Sequence, residues 1–118
     1  MKIENLRGKV AVITGAGSGF GREFARIAAA EGMALVLVDV QADALAETVA
    51  ELDGNDILHR TLDVTDGVAM DALAVDAFAR FGAVHLLFNN AGVGSTGLMW
   101  EATTRDWEWV LGVNLWGT

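Results

Sequence analysis

Four exits from apolar runs carry the residues of this chain best suited to chemistry: Thr14-Gly15, Asp39, Asp63-Val64 and Asn89-Asn90. They recur at near-constant intervals, so each repeated unit ends on a small or polar residue. The first exit is the richest. In KVAVITGAGSGFG, residues 9–21, the run Val10–Ile13 breaks into a loop with glycine at 15, 17, 19 and 21, and a helix-like pattern follows at once. N–H groups at a helix start have no intrahelical partner and sit at the positive end of the dipole, so they bind an anion such as a diphosphate. Glycine lets the chain turn tightly and admits phosphate where a Cβ would collide. A carboxylate at the second exit, Asp39, can accept hydrogen bonds from both hydroxyls of a ribose. Any one of these could be an ordinary turn residue. Four in register are harder to explain that way.

The elements that must position them follow from hydrophobic periodicity. Apolar runs at Val10–Ile13, Ala34–Val38, Ile57–Leu62 and Val84–Phe88 alternate with Ala-rich segments of helical spacing. Phe20, Phe24, Ile27 and Ala28 mark the first helix, and Leu45, Val49 and Leu52 the second, which closes near Gly54. The third spans about Asp66 to Phe81, with Thr65 as N-cap and Gly82 as stop. Strands this apolar are expected to be buried on both faces of a parallel sheet. Right-handed crossovers then give an α/β, doubly wound, Rossmann-type sheet, incomplete and in the spatial order 3-2-1-4. The last segment, Thr103 to Thr118, reads as a helix with a capping box of Thr103 and Asp106. Trp107, Val110, Leu111 and Asn114 form its apolar stripe, which predicts a buried amide at Asn114.

Composition narrows the function. The 118 residues are 53% hydrophobic and contain no cysteine, which excludes disulfides and thiolate metal sites. A net charge of -8 offers no basic stripe for nucleic acid. No apolar run approaches the roughly 18 residues that a bilayer requires, so no membrane partner is expected. The acidic residues have no metal-cage spacing, and His59 and His85 read as ordinary strand histidines. Arg22 and Arg26 read as solvated or paired with glutamates such as Glu23, with Arg22 close to the loop.

The loop fits neither G-x-G-x-x-G, since Phe20 and Arg22 stand where its last glycine would fall, nor the Walker pattern, since no lysine follows. It fits T-G-x-x-x-G-x-G through Thr14, Gly15, Gly19 and Gly21, and Asp63-Val64 and Asn89-Asn90-Ala91-Gly92 supply two further motifs. Together these resemble the short-chain dehydrogenase/reductase family over essentially the whole chain, against a weaker likeness to a methyltransferase fold. The resemblance implies an NAD-dependent oxidoreductase, moving hydride between nicotinamide and an alcohol or ketone. It places Gly15, Ser18, Gly19, Phe20 and Gly21 at the diphosphate, and Asp39 and Val40 at the adenosine ribose. Asp63 and the Val64 backbone would meet adenine. Asn90, Ala91 and Gly92 would lie beneath the second ribose, with Asn90 bracing the sheet, and Val113 would touch the cofactor. Ser18 and Val40 stand where an arginine would offset the repulsion between Asp39 and the extra phosphate of NADP, so NAD is favoured.

By the same resemblance Asn114 belongs to an Asn-Ser-Tyr-Lys catalytic set, holding a water in a proton relay and distorting its helix. The chain departs from the family in having no tyrosine, and lysine only at 2 and 9; the serine partner is missing as well. The expectation is therefore the dinucleotide-binding half of one domain, residues 1–118, inactive alone. The alternatives are a non-catalytic dinucleotide-binding module and a self-assembling truncated fragment. An unpaired fourth strand and the clustered Trp100, Trp107, Trp109 and Trp116 predict a homo-oligomer, expected in the cytoplasm.

Overall fold

The computed structural model describes residues 4–52 and 54–118. Four strands, β1 (Val10–Thr14), β2 (Ala34–Asp39), β3 (Ile57–Thr61) and β4 (Leu86–Phe88), form one sheet in the order β3-β2-β1-β4. Every pairing is parallel, with Ile13 beside Leu37 and Phe88, and Asp39 beside Thr61. The connections are helices: α1 (Gly19–Ala30), α2 (Ala42–Glu51) and α3 (Gly67–Phe81). This is the doubly wound order that the apolar runs predict.

Strand alternation divides the core into two layers. Ala11, Ile13, Leu35 and Leu37 pack with Ala25 and Ala28 of α1 and Leu45 of α2. The alternate residues Val10, Val12, Val36, Val38 and Leu58 meet Leu73 and Ala77 of α3. Successive side chains of a strand face opposite ways, so β1 and β2 need apolar residues at every position. They have them up to their last residues, Thr14 and Asp39, and all of β1 is buried. The buried positions of α1, Gly21, Ala25 and Ala28, are all small, which brings that helix close to the sheet.

Burial on both faces does not extend to β3 and β4. His59, Arg60 and Thr61 are exposed at the outer edge, where Arg60 pairs with Asp76 of α3 at 3.3 Å. In β4, Leu86 and Phe88 pack on the α1 layer, and Phe88 stacks on Phe24 with ring centroids 4.9 Å apart. Leu87, registered with Val12 on the α3 side, is 57% exposed. An edge strand has one neighbour and only partial helix cover, so continuous hydrophobicity does not ensure burial there.

Two helix boundaries differ from expectation. The N-cap of α3 is Asp66, whose side chain accepts from the Ala69 N–H at 3.0 Å. The hydroxyl of Thr65, the expected cap, instead donates to Asp63 Oδ1 at 2.8 Å. The C-terminal stop is Gly82, with φ 77°, a left-handed conformation that glycine adopts without Cβ strain. α4 (Thr104–Leu111) begins with the anticipated capping box: Thr103 Oγ1 accepts from the Asp106 N–H, and the Asp106 carboxylate accepts from the Thr103 N–H.

The helix does not continue regularly to Thr118. At Gly112–Trp116 it widens into a π turn, with the Gly117 N–H donating to the Gly112 carbonyl at 2.8 Å. The extra residue in the turn shifts Asn114 relative to Val110 and Leu111. Val113 is buried, while Asn114 is exposed, as are Trp107 and Leu111.

The Asp106 carboxyl is held below its ordinary value, first by the Thr103 N–H and then by its hydroxyl. A lowered folded-state pKa means the box stabilises fully above the ordinary carboxylate range and fails as pH falls through the lowered value. The Thr103 and Asp106 amide resonances should therefore shift together on acidification below that range, and Asp106→Asn should abolish the transition.

Candidate functional site

The parallel sheet brings the four strand exits to one edge, around a hollow of about 420 Å³. Gly15, Ser18, Gly19 and Phe20 line it from the loop after β1 and the first turn of α1. Asp39 and Val40 enter from β2, and Asp63 and Val64 from β3. Asn90, Ala91 and Gly92 follow from β4, and Val113 from the π turn. A second hollow of about 590 Å³ lies between residues 94–102 and α4 and shares none of these residues.

The loop keeps its donors open at the front. Ser18, the N-cap of α1, is extended at φ −157° and makes no side-chain capping bond. The first-turn N–H groups therefore lack a side-chain acceptor, and Ser18, Gly19 and Phe20 are exposed. Gly19 has φ +52° with open space where a Cβ would stand. Gly21 is different. It does not line the hollow; a Cβ there would lie 2.0 Å from the Gly15 carbonyl oxygen. Its lack of a side chain serves the contact between α1 and the loop, not an approach of ligand to the backbone.

Behind the loop, β1 and β4 are locked by Thr14 and Asn90. Thr14 Oγ1 donates to the Phe88 carbonyl at 3.3 Å and accepts from the N–H groups of Asn90 and Ala91 at 3.1 and 3.0 Å. Asn90 Nδ2 donates to the carbonyls of Thr14 and Gly15 at 3.0 and 3.4 Å. This is the bracing role expected of Asn90. Thr14 is 3% exposed, so its hydroxyl needs these partners.

The two aspartates of the rim are held differently. Asp39, half-buried, accepts from the Gly17 N–H through Oδ2 at 2.8 Å and from the Gln41 N–H through Oδ1 at 2.9 Å. A carboxylate has about four acceptor positions, so two remain for a ligand. Asp63 is exposed, and its Oδ1 accepts from both the N–H and the hydroxyl of Thr65.

Asn114 does not line the hollow, and its amide is exposed instead of buried. Both ends of that amide are nevertheless engaged: Oδ1 accepts from the Val93 N–H at 2.9 Å, and Nδ2 donates to the Val93 carbonyl at 2.8 Å. The clasp fixes the segment after β4 against the π turn. His85 Nδ1 accepts from the Val10 N–H at 2.9 Å, a structural use, and His59 is exposed on β3. Among the described residues no His, Cys, Asp and Glu cluster could hold a metal ion.

Several comparisons bear on this site. A family model described as short chain dehydrogenase matches residues 9–118. The chain belongs to the short chain dehydrogenase family. A CLA biosynthesis dehydrogenase/reductase of Lactiplantibacillus plantarum is 41% identical over 115 residues, covering 96% of this chain and 40% of that protein. D-threitol dehydrogenase of Mycolicibacterium smegmatis is 37% identical over 115 residues, covering 96% and 44%. The crystal structure of a family member from Burkholderia phymatum in complex with NAD matches with a TM-score of 0.93 at 54% identity, over 98% of this chain and 42% of that one. The chain thus spans less than half the length of these relatives.

Leu62, the end of the third apolar run, also lines the hollow; sequence reasoning missed Gln41, Val93 and Trp109, which line it too. No periodic signal marks them, because they lie on loops or on a helix face that the fold alone turns inward. It also missed Thr48, which is fully buried and donates to the Ala16 carbonyl at 2.9 Å. A signal did exist there: Thr48 interrupts the stripe Leu45, Val49, Leu52 at a core position.

Gly21→Ala should lower stability by about 1–3 kcal/mol through overpacking, read as a lower urea midpoint. An unchanged midpoint would contradict the contact with Gly15.

Proposed function

We propose that this chain is the dinucleotide-binding half of an NAD-dependent oxidoreductase that acts on an alcohol/carbonyl pair of a small molecule. The observation that carries the reading is one hollow holding both an uncapped helix start and an oriented carboxylate, Asp39. The first suits a diphosphate and the second the vicinal hydroxyls of a ribose. Gly19, Ala91 and Gly92 keep the surrounding wall low enough for a ligand to approach the backbone. Exposed Phe20 and Val40 supply apolar surface beside these polar groups. The residues present therefore fit a nicotinamide adenine dinucleotide, and the NAD complex of the Burkholderia phymatum relative agrees with that choice.

When bound, such a dinucleotide accepts or supplies hydride. The chain's own residues bind and orient. Ser18, Gly19 and Phe20 offer N–H donors from the start of α1, with Gly21 behind them seating the helix on the loop; Asp39 selects a ribose bearing both hydroxyls and repels a 2′-phosphate. Asp63 and Val64 border the adenine, Asn90, Ala91 and Gly92 the second ribose, and Val113 the nicotinamide end. We assign Asn114 to the catalytic set as the residue that clasps Val93 and holds the π turn. Without tyrosine, or lysine beyond position 9, the chain has no Tyr-Lys pair to move the proton, so binding without turnover is the expected behaviour of these 118 residues alone.

Calorimetric titration with NADH tests the proposal. Asp39→Ala should weaken binding by about 1–3 kcal/mol and narrow the preference for NADH over NADPH. Unchanged affinity would remove the ribose assignment.

A cytoplasmic homo-oligomer is the form we propose. No described helix is long and apolar enough to cross a membrane. The α4 face and the π turn leave Trp107, Trp109, Leu115 and Trp116 exposed, the last at 80%, and β4 is an edge strand. Apolar area of this extent favours self-association. Sedimentation should show a mass rising with concentration; a monomer at every concentration would refute it.

A further inference from the structure

Arg22 stands one residue beyond the glycine motif, yet its guanidinium turns away from the hollow and is spent on the back of the loop. Nη2 donates to the Gly17 carbonyl at 2.7 Å and to the Ala44 carbonyl of α2 at 3.3 Å. Nε donates to Thr48 Oγ1 at 3.0 Å, and the charge is met by Glu47 at 3.2 Å and Glu51 at 3.6 Å. The Thr48 hydroxyl passes the connection on by donating to the Ala16 carbonyl at 2.9 Å. The Ala16 N–H donates to the Val38 carbonyl at 3.0 Å, and the Gly17 N–H to Asp39 Oδ2 at 2.8 Å. Every backbone polar group of Ala16 and Gly17 is therefore committed to β2, α1 or α2. The last bond of the series ends on the carboxylate proposed to read ribose.

We propose that Arg22 and Thr48 are positioning residues, a latch that sets the outer limb of the glycine loop and, through the Gly17 N–H, the orientation of Asp39. The inference rests on the dinucleotide reading for its consequence, though not for the latch itself. A planar fork is required. It engages two carbonyls and a hydroxyl at once, which the compact lysine ammonium on its flexible stem cannot reproduce. The same commitment has an electrostatic effect: a cation beside the loop, which could otherwise attract the extra phosphate of NADP, is neutralised by Glu47 and Glu51 and faces α2. Discrimination between the two dinucleotides then depends on where Arg22 is held as well as on Asp39.

The test has one arm without ligand and one with it. In the ligand-free chain, Arg22→Gln should raise amide hydrogen exchange at Gly17 about tenfold, the loss of roughly one hydrogen bond to a charged group, while Val12 and Leu73 amides keep their protection. Unchanged Gly17 exchange overturns the latch. In NADH titrations, Arg22→Gln should weaken binding about tenfold in the native background and much less when Asp39 is already alanine. Equal losses in both backgrounds would mean that Arg22 does not act through Asp39, and would overturn the inference. If Arg22→Gln fails to fold, Arg22→Lys gives the same two readouts with the charge retained, and full rescue by lysine counts against a fork. A native chain that ignores NADH while its Gly17 amide responds to Arg22→Gln removes the cofactor reading and leaves the latch standing.

Discussion

The glycine loop must hold one shape while leaving its forward N–H groups without partners. Those two demands conflict, because the usual way to fix a loop is to satisfy its backbone. The conflict is resolved by fixing the loop from behind. Val38 takes the Ala16 N–H, Thr48 and Arg22 hold the carbonyls of Ala16 and Gly17, and Asn90 reaches those of Thr14 and Gly15. Nothing comparable caps Ser18. The donors at the start of α1 are thus held in place by bonds made elsewhere, which is the preorganisation an anion site needs.

That arrangement depends on the sheet. The strands are parallel, so each exit lies at the same edge, and each crossover helix returns the chain to the far edge before the next strand. The small residues at the buried positions of α1 let the helix start sit against the loop, with Gly21 meeting the Gly15 carbonyl where any side chain would collide. The core and the site are therefore one construction. Val12 and Ile13 are buried on opposite faces of β1, and the next residue, Thr14, already belongs to the lock between β1 and β4.

The carboxyl-terminal quarter follows a different logic. α4 has a complete capping box and a π turn clasped to Val93, yet most of its large apolar residues face solvent. Local bonds are enough to shape it; burial is not what holds it. Periodicity could therefore place the helix and its cap but not its environment, and the burial expected for Asn114 failed for that reason. Thr65 failed as a cap on a finer point: two adjacent candidates competed, and Asp63 drew the threonine hydroxyl away, leaving Asp66 to cap the helix.

Alone, the sequence determined the element order, the parallel sheet and its strand order, because strict alternation of apolar runs with helical stripes admits few other packings. Motif spacing, which matches unit length, placed the four strand exits on one rim, and the family resemblance added the others such as Val113: of the fourteen positions named, all but Gly21 and Asn114 line one hollow. Only the tertiary structure decided what holds those residues in place. Arg22 sits beside the loop in sequence, but its bonds to Thr48 and Ala44 exist because α1 and α2 pack side by side on one face of the sheet. Contacts between residues distant along the chain leave no periodic mark, and a long cation such as arginine can turn toward solvent, ligand or a neighbouring helix. Packing alone selected the neighbouring helix.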